Sequence, residues 1–513
     1  MQKYKDLELI ENKENQDCTV YCINNANKDA LEYYKSLYEG KGYTKQEERS
    51  FDTRAFASYS DDNNGVFLNY FENVSQLYIV EEANTLYFSQ NDQCSGKSVT
   101  PQITQIKLED YGMSYVIRMG DGRFVIIDGG REFEPDATRL YECLKKSSAG
   151  DRPCVASWIM THPHSDHFHC FLTFTELYGS QIDVQSFLFN FPEKDDFEHY
   201  PSLANGDFRF KDSSPFINIP KMYEAIETYG ARIYTAHTGQ TYKFADATFE
   251  ILSSMDDTIH VTQNVNSMSL VIRMTLADQV VLWTADSSFS DTLLPEKYGN
   301  YLKSDMLQIP HHGFQSGTAE AQVRTFEIVA PEVAFLPVSD YNAFTALCIF
   351  KKGTRYLMEY ADLKELITGE TQKTIDLPYK ADAAGQIKLQ NNVKQGLASN
   401  GAYTHVFTGL HTSKEEDFNF SFLNMTHSKA TVWIELYFDN TDENVRAIKL
   451  EVGSLRLMDA SIIGELVDPD ALHFNWLSLK RRGVSESKPF AVRFMSDIPI
   501  VITHKEHKAT YMA

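Results

Sequence analysis

The run Thr161-His162-Pro163-His164-Ser165-Asp166-His167 packs three imidazoles and a carboxylate directly behind the apolar segment CVASWIM, and no hydrophobic core has a use for such a cluster. Neutral imidazole and carboxylate are the donors that borderline-soft zinc prefers, and a tight loop after a buried strand can aim alternate side chains at one point. His162 and His164, one residue apart, can share one ion while Asp166 and His167 turn toward a second.

Two later segments join this argument. Asp286 ends the apolar strand VVLWTAD, where a lone carboxylate would be costly to bury, and His311-His312-Gly313 follows the strand DMLQIP in the same way. A carboxylate shared between two divalent ions is held by them against its desolvation, and one imidazole of the His311-His312 pair can complete the second ion.

The HxHxDH run, the strand-final aspartate and the late histidine resemble the metallo-β-lactamase fold superfamily of binuclear metal hydrolases, over residues 103–379. The finer pattern NVNSMSLVIRM, VVLWTAD and DMLQIPHHG is most similar to the branch that holds phosphorylcholine esterases and the soluble domain of the competence DNA-uptake channel. The resemblance implies a four-layered αββα core and two divalent metal ions, zinc first, with manganese or iron as alternatives. It makes His162 and His164 ligands of the first ion, Asp166 and His167 ligands of the second, and Asp286 the bridge. One of His311 and His312 would bind the second ion, and its neighbour would hydrogen-bond the substrate.

The resemblance also calls for one more histidine on the first ion. His237, in the turn Ala236-His237-Thr238-Gly239, is the candidate, with His169, His199 and His260 competing for the role. Asp128 in VIIDGG corresponds to a residue that steadies the metal loop by hydrogen bonds, and Gly129 and Gly130 permit close backbone approach there. The pattern departs from its relatives at Ala285, where glycine is usual, and a methyl group is expected to be tolerated.

The chemistry implied is hydrolysis by water activated between two divalent ions, with Asp166 or the spare histidine of the 311–312 pair handling the proton. No serine or cysteine nucleophile is needed. A small phosphoester is the expected substrate. A carboxylic ester, lactone or thioester is the alternative on the same fold, and a non-catalytic metal-containing scaffold is a second.

Charge narrows the substrate. With 71 acidic against 48 basic side chains the formal charge is −23, a field that repels a long phosphate polymer. The expected partner is therefore a small molecule rather than extended nucleic acid, with homodimer formation left open. No segment approaches the ~18 apolar residues of a membrane helix and the amino terminus has no leader-like apolar stretch, so a soluble, cytoplasmic protein without membrane contact is expected. Seven cysteines, none in a CxxC pair, read as reduced, buried thiols.

At 513 residues the chain divides into an α+β arrangement of three parts. Residues 1–92 read as a small α+β domain: CTVYCI is a strand, NKDALEYYKSLYEG a helix stopped at Gly40, and DDNNG a turn whose Asn and Gly tolerate positive φ. Residues 93–382 alternate short apolar strands with helices and carry the motifs. Residues 383–513, with FNFSFLNM, TVWIELYF, VRAIKLEV, FAVRFM and IPIVITH, alternate as an all-β, sandwich-like accessory domain. There Lys480-Arg481-Arg482-Gly483 reads as a solvated hairpin turn, and His504 and His507 as exposed.

Overall fold

The structure is a computed structural model that describes residues 9–14, 18–83, 98–200, 215–259, 262, 264–287, 289, 293–313, 319–338, 350–351, 354–355, 363–369, 371–381, 403–411, 419–438, 446–461 and 489–504. His260, His507 and residues 480–483 lie outside these. The chain gathers into two compact units, Met1–Pro337 with Asp362–Gln386, and Val338–Ala361 with Ile387–Ala513. The fold is mixed α+β with several sheets.

In the first unit an antiparallel six-stranded sheet comes from the amino-terminal segment, and it packs in the same unit as the motif-bearing strands. Its helix Lys28–Gly40 starts where Asn27 Oδ1 accepts the Ala30 N–H at 3.0 Å and buries Ala30, Leu31, Tyr34 and Tyr38 against the sheet. The turn after Arg54–Ser60 forms without positive φ. Asp61 Oδ1 instead accepts from the Asn63 and Asn64 N–H groups at 2.8 and 2.7 Å, so an Asx turn replaces the glycine-dependent one expected.

Two larger sheets build the centre of this unit. One runs Arg232–Thr235, Ser186–Phe189, Cys154–Ile159, Phe124–Asp128, Ser114–Arg118, Gln102–Gln105 and Lys373–Asp376, its first four strands parallel. The other runs Thr241–Phe244, Ala247–Ser253, Val271–Leu276, Gln279–Trp283, Met306–Gln308, Val333–Leu336 and Glu365–Thr368. Ile103, Tyr115, Ile127 and Ile159 of the first share one apolar core with Phe249, Ile272, Trp283 and Phe335 of the second. The opposite face of the first sheet, with Phe124, Trp158 and Phe187, is covered by Leu140 and Leu144 of helix Glu134–Ser147, Phe171 and Phe174 of helix Ser165–Tyr178, and Met222 and Ile226 of helix Pro215–Glu227.

Burial on both faces explains why Phe124–Asp128 and Cys154–Ile159 are apolar almost throughout instead of alternating. Parallel strands also bring their carboxyl ends to one edge, and Asp128, His162, Asn190 and His237 all follow strands of the first sheet there. Asp286 and His311-His312 follow the parallel strands Gln279–Trp283 and Met306–Gln308 of the second sheet.

The second unit is a β-sandwich among its described residues. A four-stranded sheet, Tyr403–His411, Pro489–Ser496, Ala430–Phe438 and Arg446–Val452, shares a core with a three-stranded one, Arg456–Ser461, Asn419–Asn424 and Val501–His504. Phe407, Val432, Ile434 and Phe494 meet Phe420, Phe422 and Ile502 there. His504, expected exposed, is buried, its ring 4.9 Å from that of Phe420.

The cysteine expectation fails at one position. Cys18, Cys22, Cys143 and Cys170 are buried thiols, but Cys154 is disulfide-bonded, with its partner outside the described residues. Spacing alone does not reveal a bridge between distant cysteines. Among the described residues no helix is long and apolar enough to cross a membrane.

Candidate metal centre

The strand Phe124–Asp128 delivers Asp128 in the left-handed region, φ 57°, fully buried. Its Oδ1 accepts the Thr161 N–H at 2.8 Å, and its Oδ2 accepts the Thr161 hydroxyl at 2.7 Å and lies 2.7 Å from His167 Nδ1. The Gly129 and Gly130 N–H groups both reach the His167 carbonyl, at 2.7 and 3.0 Å. One carboxylate and two glycines thus clamp the histidine-rich loop to the neighbouring strand end.

A second clamp comes from residues 110–113. Met113 N–H donates to the Asp166 carbonyl at 3.0 Å, and a Cβ on Gly112 would stand 2.7 Å from that oxygen, so only glycine fits. With Nδ1 of His167 committed to Asp128, its Nε2 faces the other ligand candidates.

Four of those atoms converge. His167 Nε2 lies 3.2 Å from His312 Nε2 and 3.1 Å from Asp286 Oδ1, while His312 Nε2 lies 3.2 Å from Asp166 Oδ2 and 3.4 Å from Asp286 Oδ1. Tetrahedral ligands at the usual zinc distances of ~2.0–2.1 Å stand about 3.3 Å apart. Asp166, His167, Asp286 and His312 therefore suit a tetrahedral cage in donor type, the four separations given fit its spacing, and all are buried.

A second group, His162, His164 and Asp286, adjoins it. His162 Nε2 is 3.1 Å from His164 Nδ1 and 3.6 Å from Asp286 Oδ2. Asp286 thus turns Oδ1 to one group and Oδ2 to the other. This buried His/Asp cluster can hold metal ions.

The electrostatics follow from that crowding. Burial drives the Asp286 carboxyl upward, but His167, His312, His311 and His162 outweigh it and hold it well below the usual carboxylate range. Asp166 is likewise pulled down against its burial, first by its bond to His312. Burial, reinforced by His167, keeps His162 neutral, with a pKa well below normal. His167 is pushed up despite burial, because Asp286 and Asp128 flank it. A cation between these groups would replace the protons that otherwise balance the carboxylates.

The pair after Met306–Gln308 separates its roles by backbone. His311, His312 and Gly313 are all left-handed, φ 51°, 53° and 77°. His312 is buried in the four-atom group, whereas His311 is part-exposed, its Nε2 3.7 Å from Asp286 Oδ2 and 3.2 Å from Asn266 Nδ2. Ala285, φ 46°, is also left-handed, a conformation that glycine adopts more readily. Its methyl is accommodated in the double-sheet core, and its carbonyl accepts the His311 N–H at 2.9 Å.

His237 joins neither ligand group. It is buried with Nδ1 2.6 Å from Asp256 Oδ2, and Asp256 Oδ1 is 3.2 Å from Asn190 Nδ2. Of its competitors, His169 is buried beside Glu132 and His199 is exposed at the end of helix Lys194–His199. Both also stand outside the groups.

Residue-by-residue reading missed the supports. Ser269 Oγ is 3.1 Å from His162 Nδ1 and accepts the Asp286 N–H at 3.2 Å. Gln308 Nε2 donates to the Ala285 carbonyl at 3.2 Å while its Oε1 accepts the Thr284 N–H at 2.9 Å. The first lies in the NVNSMSL pattern and the second in DMLQIP, so each was signalled only as part of a motif.

No protein-family model and no curated protein matches the chain. Solved structures similar to parts of it include the Anabaena sensory rhodopsin transducer, at 22 % identity over 20 % of this chain and 96 % of that one, TM-score 0.16. Another is Thermotoga maritima 1070, at 16 % identity over 22 % and 90 %, TM-score 0.14. A third is a β-lactamase domain protein from Burkholderia ambifaria, at 16 % identity over 39 % of this chain and 59 % of that one, TM-score 0.24. At such TM-scores none of them bears on the chemistry, which rests on the cluster's own geometry.

Proposed function

We propose that the chain is a binuclear metal-dependent hydrolase of the metallo-β-lactamase fold, acting on a small phosphoester. The observation that carries this reading is the shared carboxylate: Asp286 offers one oxygen to His167 and His312 and the other to His162 and His164. A structural site closes on four ligands of one ion, whereas two adjoining groups with a common carboxylate suit a pair of ions. His162 and His164 would hold the first, with His237 the candidate to complete it, and Asp166, His167 and His312 the second. Helix Ala319–Val329 would supply the outer layer of a four-layered αββα core.

Divalent ions there would make water acidic enough to supply a nucleophile near neutral pH and would polarise a phosphoryl or carbonyl oxygen. The protein's own groups do the rest. Asp128 and Ser269 fix the ring orientations of His167 and His162. His311, part-exposed and outside the ligand groups, has its pKa lowered by burial, so the neutral ring is placed to hydrogen-bond the substrate or take the proton of the attacking water. Asp166, its carboxyl held ionised by His312 and His167, could take up a cation without first losing a proton.

The formal charge of −23 favours a small substrate over a polymer. The disulfide at Cys154 favours an oxidising compartment over the cytoplasm. Chelation followed by zinc or manganese reconstitution tests the reading, with bis(p-nitrophenyl) phosphate and p-nitrophenyl acetate as probes. Activity should disappear and return with the metal, the phosphodiester being preferred. Hydrolysis indifferent to chelation would sink the proposal, and preference for the acetate would move it to carboxylic esters.

A further inference from the structure

From the reading of the site as a hydrolase, we infer that Arg131 and Tyr111 form a cationic and aromatic wall beside the cluster that selects substrates carrying negative charge. Three planar groups step outward from the ligands. The Tyr111 ring lies 5.8 Å from that of His312, and the Arg131 guanidinium sits 4.4 Å over the Tyr111 ring. Arg131 Nε is 3.2 Å from Asp110 Oδ2.

The backbone fixes both members. Arg131 follows Gly129 and Gly130, whose N–H groups bind the His167 carbonyl. Tyr111 precedes Gly112 and Met113, which press on the Asp166 carbonyl. The backbone on either side of the pair is thereby tied to the histidine-rich loop.

Charge makes the placement informative. Arg131 is only 8 % exposed, and besides Asp110 the carboxylates of Asp166 and Glu132 favour its charge. Once cations occupy the cluster, Asp166 is spent on them and Arg131 faces charge of its own sign. Asp110 offsets part of that repulsion, and an anionic group between the cations and the guanidinium offsets the rest. A planar, weakly hydrated fork stacked on a ring suits phosphoryl or carboxylate oxygens better than an ammonium would.

The test uses the metal-loaded full-length chain, after the wild type has shown metal-dependent hydrolysis. In Arg131→Gln the kcat/KM ratio of bis(p-nitrophenyl) phosphate to p-nitrophenyl acetate should fall about 10- to 100-fold, the loss of one charge-assisted hydrogen bond. Calorimetry should show inorganic phosphate binding weakened by a similar factor at equal metal content. Equal losses on both substrates would reduce Arg131 to a support for the loop, and an unchanged ratio would overturn the inference. If Arg131→Gln does not fold, the ratio is read in Arg131→Lys. There a fall of about 3-fold or more is expected, because the ammonium neither forks nor stacks, and no fall overturns the inference.

Discussion

Replacing Asp128 by Asn changes no shape and little volume, and asparagine tolerates the left-handed backbone at φ 57°. It alters only what the side chain can accept. Oδ1 faces the Thr161 backbone N–H, an obligate donor 2.8 Å away, so the amide oxygen must take that place. The new NH2 then faces the Thr161 hydroxyl and His167 Nδ1, each 2.7 Å from the present Oδ2. To avoid two donors meeting, His167 must accept at Nδ1, which puts its proton on Nε2 and removes the lone pair aimed at Asp286 and His312. The loss is one charge-assisted hydrogen bond plus the wrong tautomer, about 1.5–3 kcal/mol, or roughly 10- to 100-fold in metal affinity. Chelator competition with zinc measures it, with a thermal melt confirming that the variant folds. Affinity within about 2-fold of wild type in a folded Asp128→Asn protein would refute the claim that this carboxylate orients a metal-ligating imidazole.

Gly112→Ala should cost about 1–3 kcal/mol in denaturant melts and weaken metal binding, because its Cβ would meet the Asp166 carbonyl at 2.7 Å. A variant of unchanged stability would mean that residues 110–113 do not brace the ligand loop. Burial, only partly countered by Arg139 and the Glu109 N–H, raises the Asp136 pKa to about 6. The folded state therefore holds a proton that the unfolded chain has released, and this contribution to stability is full below the unfolded value of 3.8 and lost as pH rises through about 6. Melting temperatures of Asp136→Asn should gain on wild type between pH 4 and 7, and parallel curves would contradict the assignment. Seven cysteines with one bridge leave five reactive thiols in denaturant without reductant and seven after reduction, so seven before reduction would rule out the bridge at Cys154.

The histidine-rich loop was legible as a candidate site because its chemistry is local. Three imidazoles and a carboxylate behind a buried strand have no packing role, and Asp286 and His311-His312 repeat that placement after other apolar strands. The β-alternation of the carboxy-terminal segment likewise announced two sheets around one core. What was hidden depends on backbone choices and on residues distant in sequence. His237, the candidate third ligand by its position in a turn, has its Nδ1 against Asp256, on a short helix 19 residues on, a partner that its own sequence neighbours do not announce. The division of labour between His311 and His312 comes from two successive left-handed residues, a backbone choice with no signature in side-chain type. The Asx turn at Asp61, the bridge at Cys154 and the burial of His504 are each set by a local competition or a tertiary neighbour that periodicity does not register.

The most direct test of the central claim is anomalous scattering from crystals of the metal-loaded protein, collected on both sides of the metal's absorption edge. Two peaks per chain are expected, one enclosed by Asp166, His167, Asp286 and His312 and the other beside His162 and His164, with Asp286 between them. A single peak would contradict the binuclear centre, and a fully loaded crystal with no peak in this cluster would contradict the account as a whole.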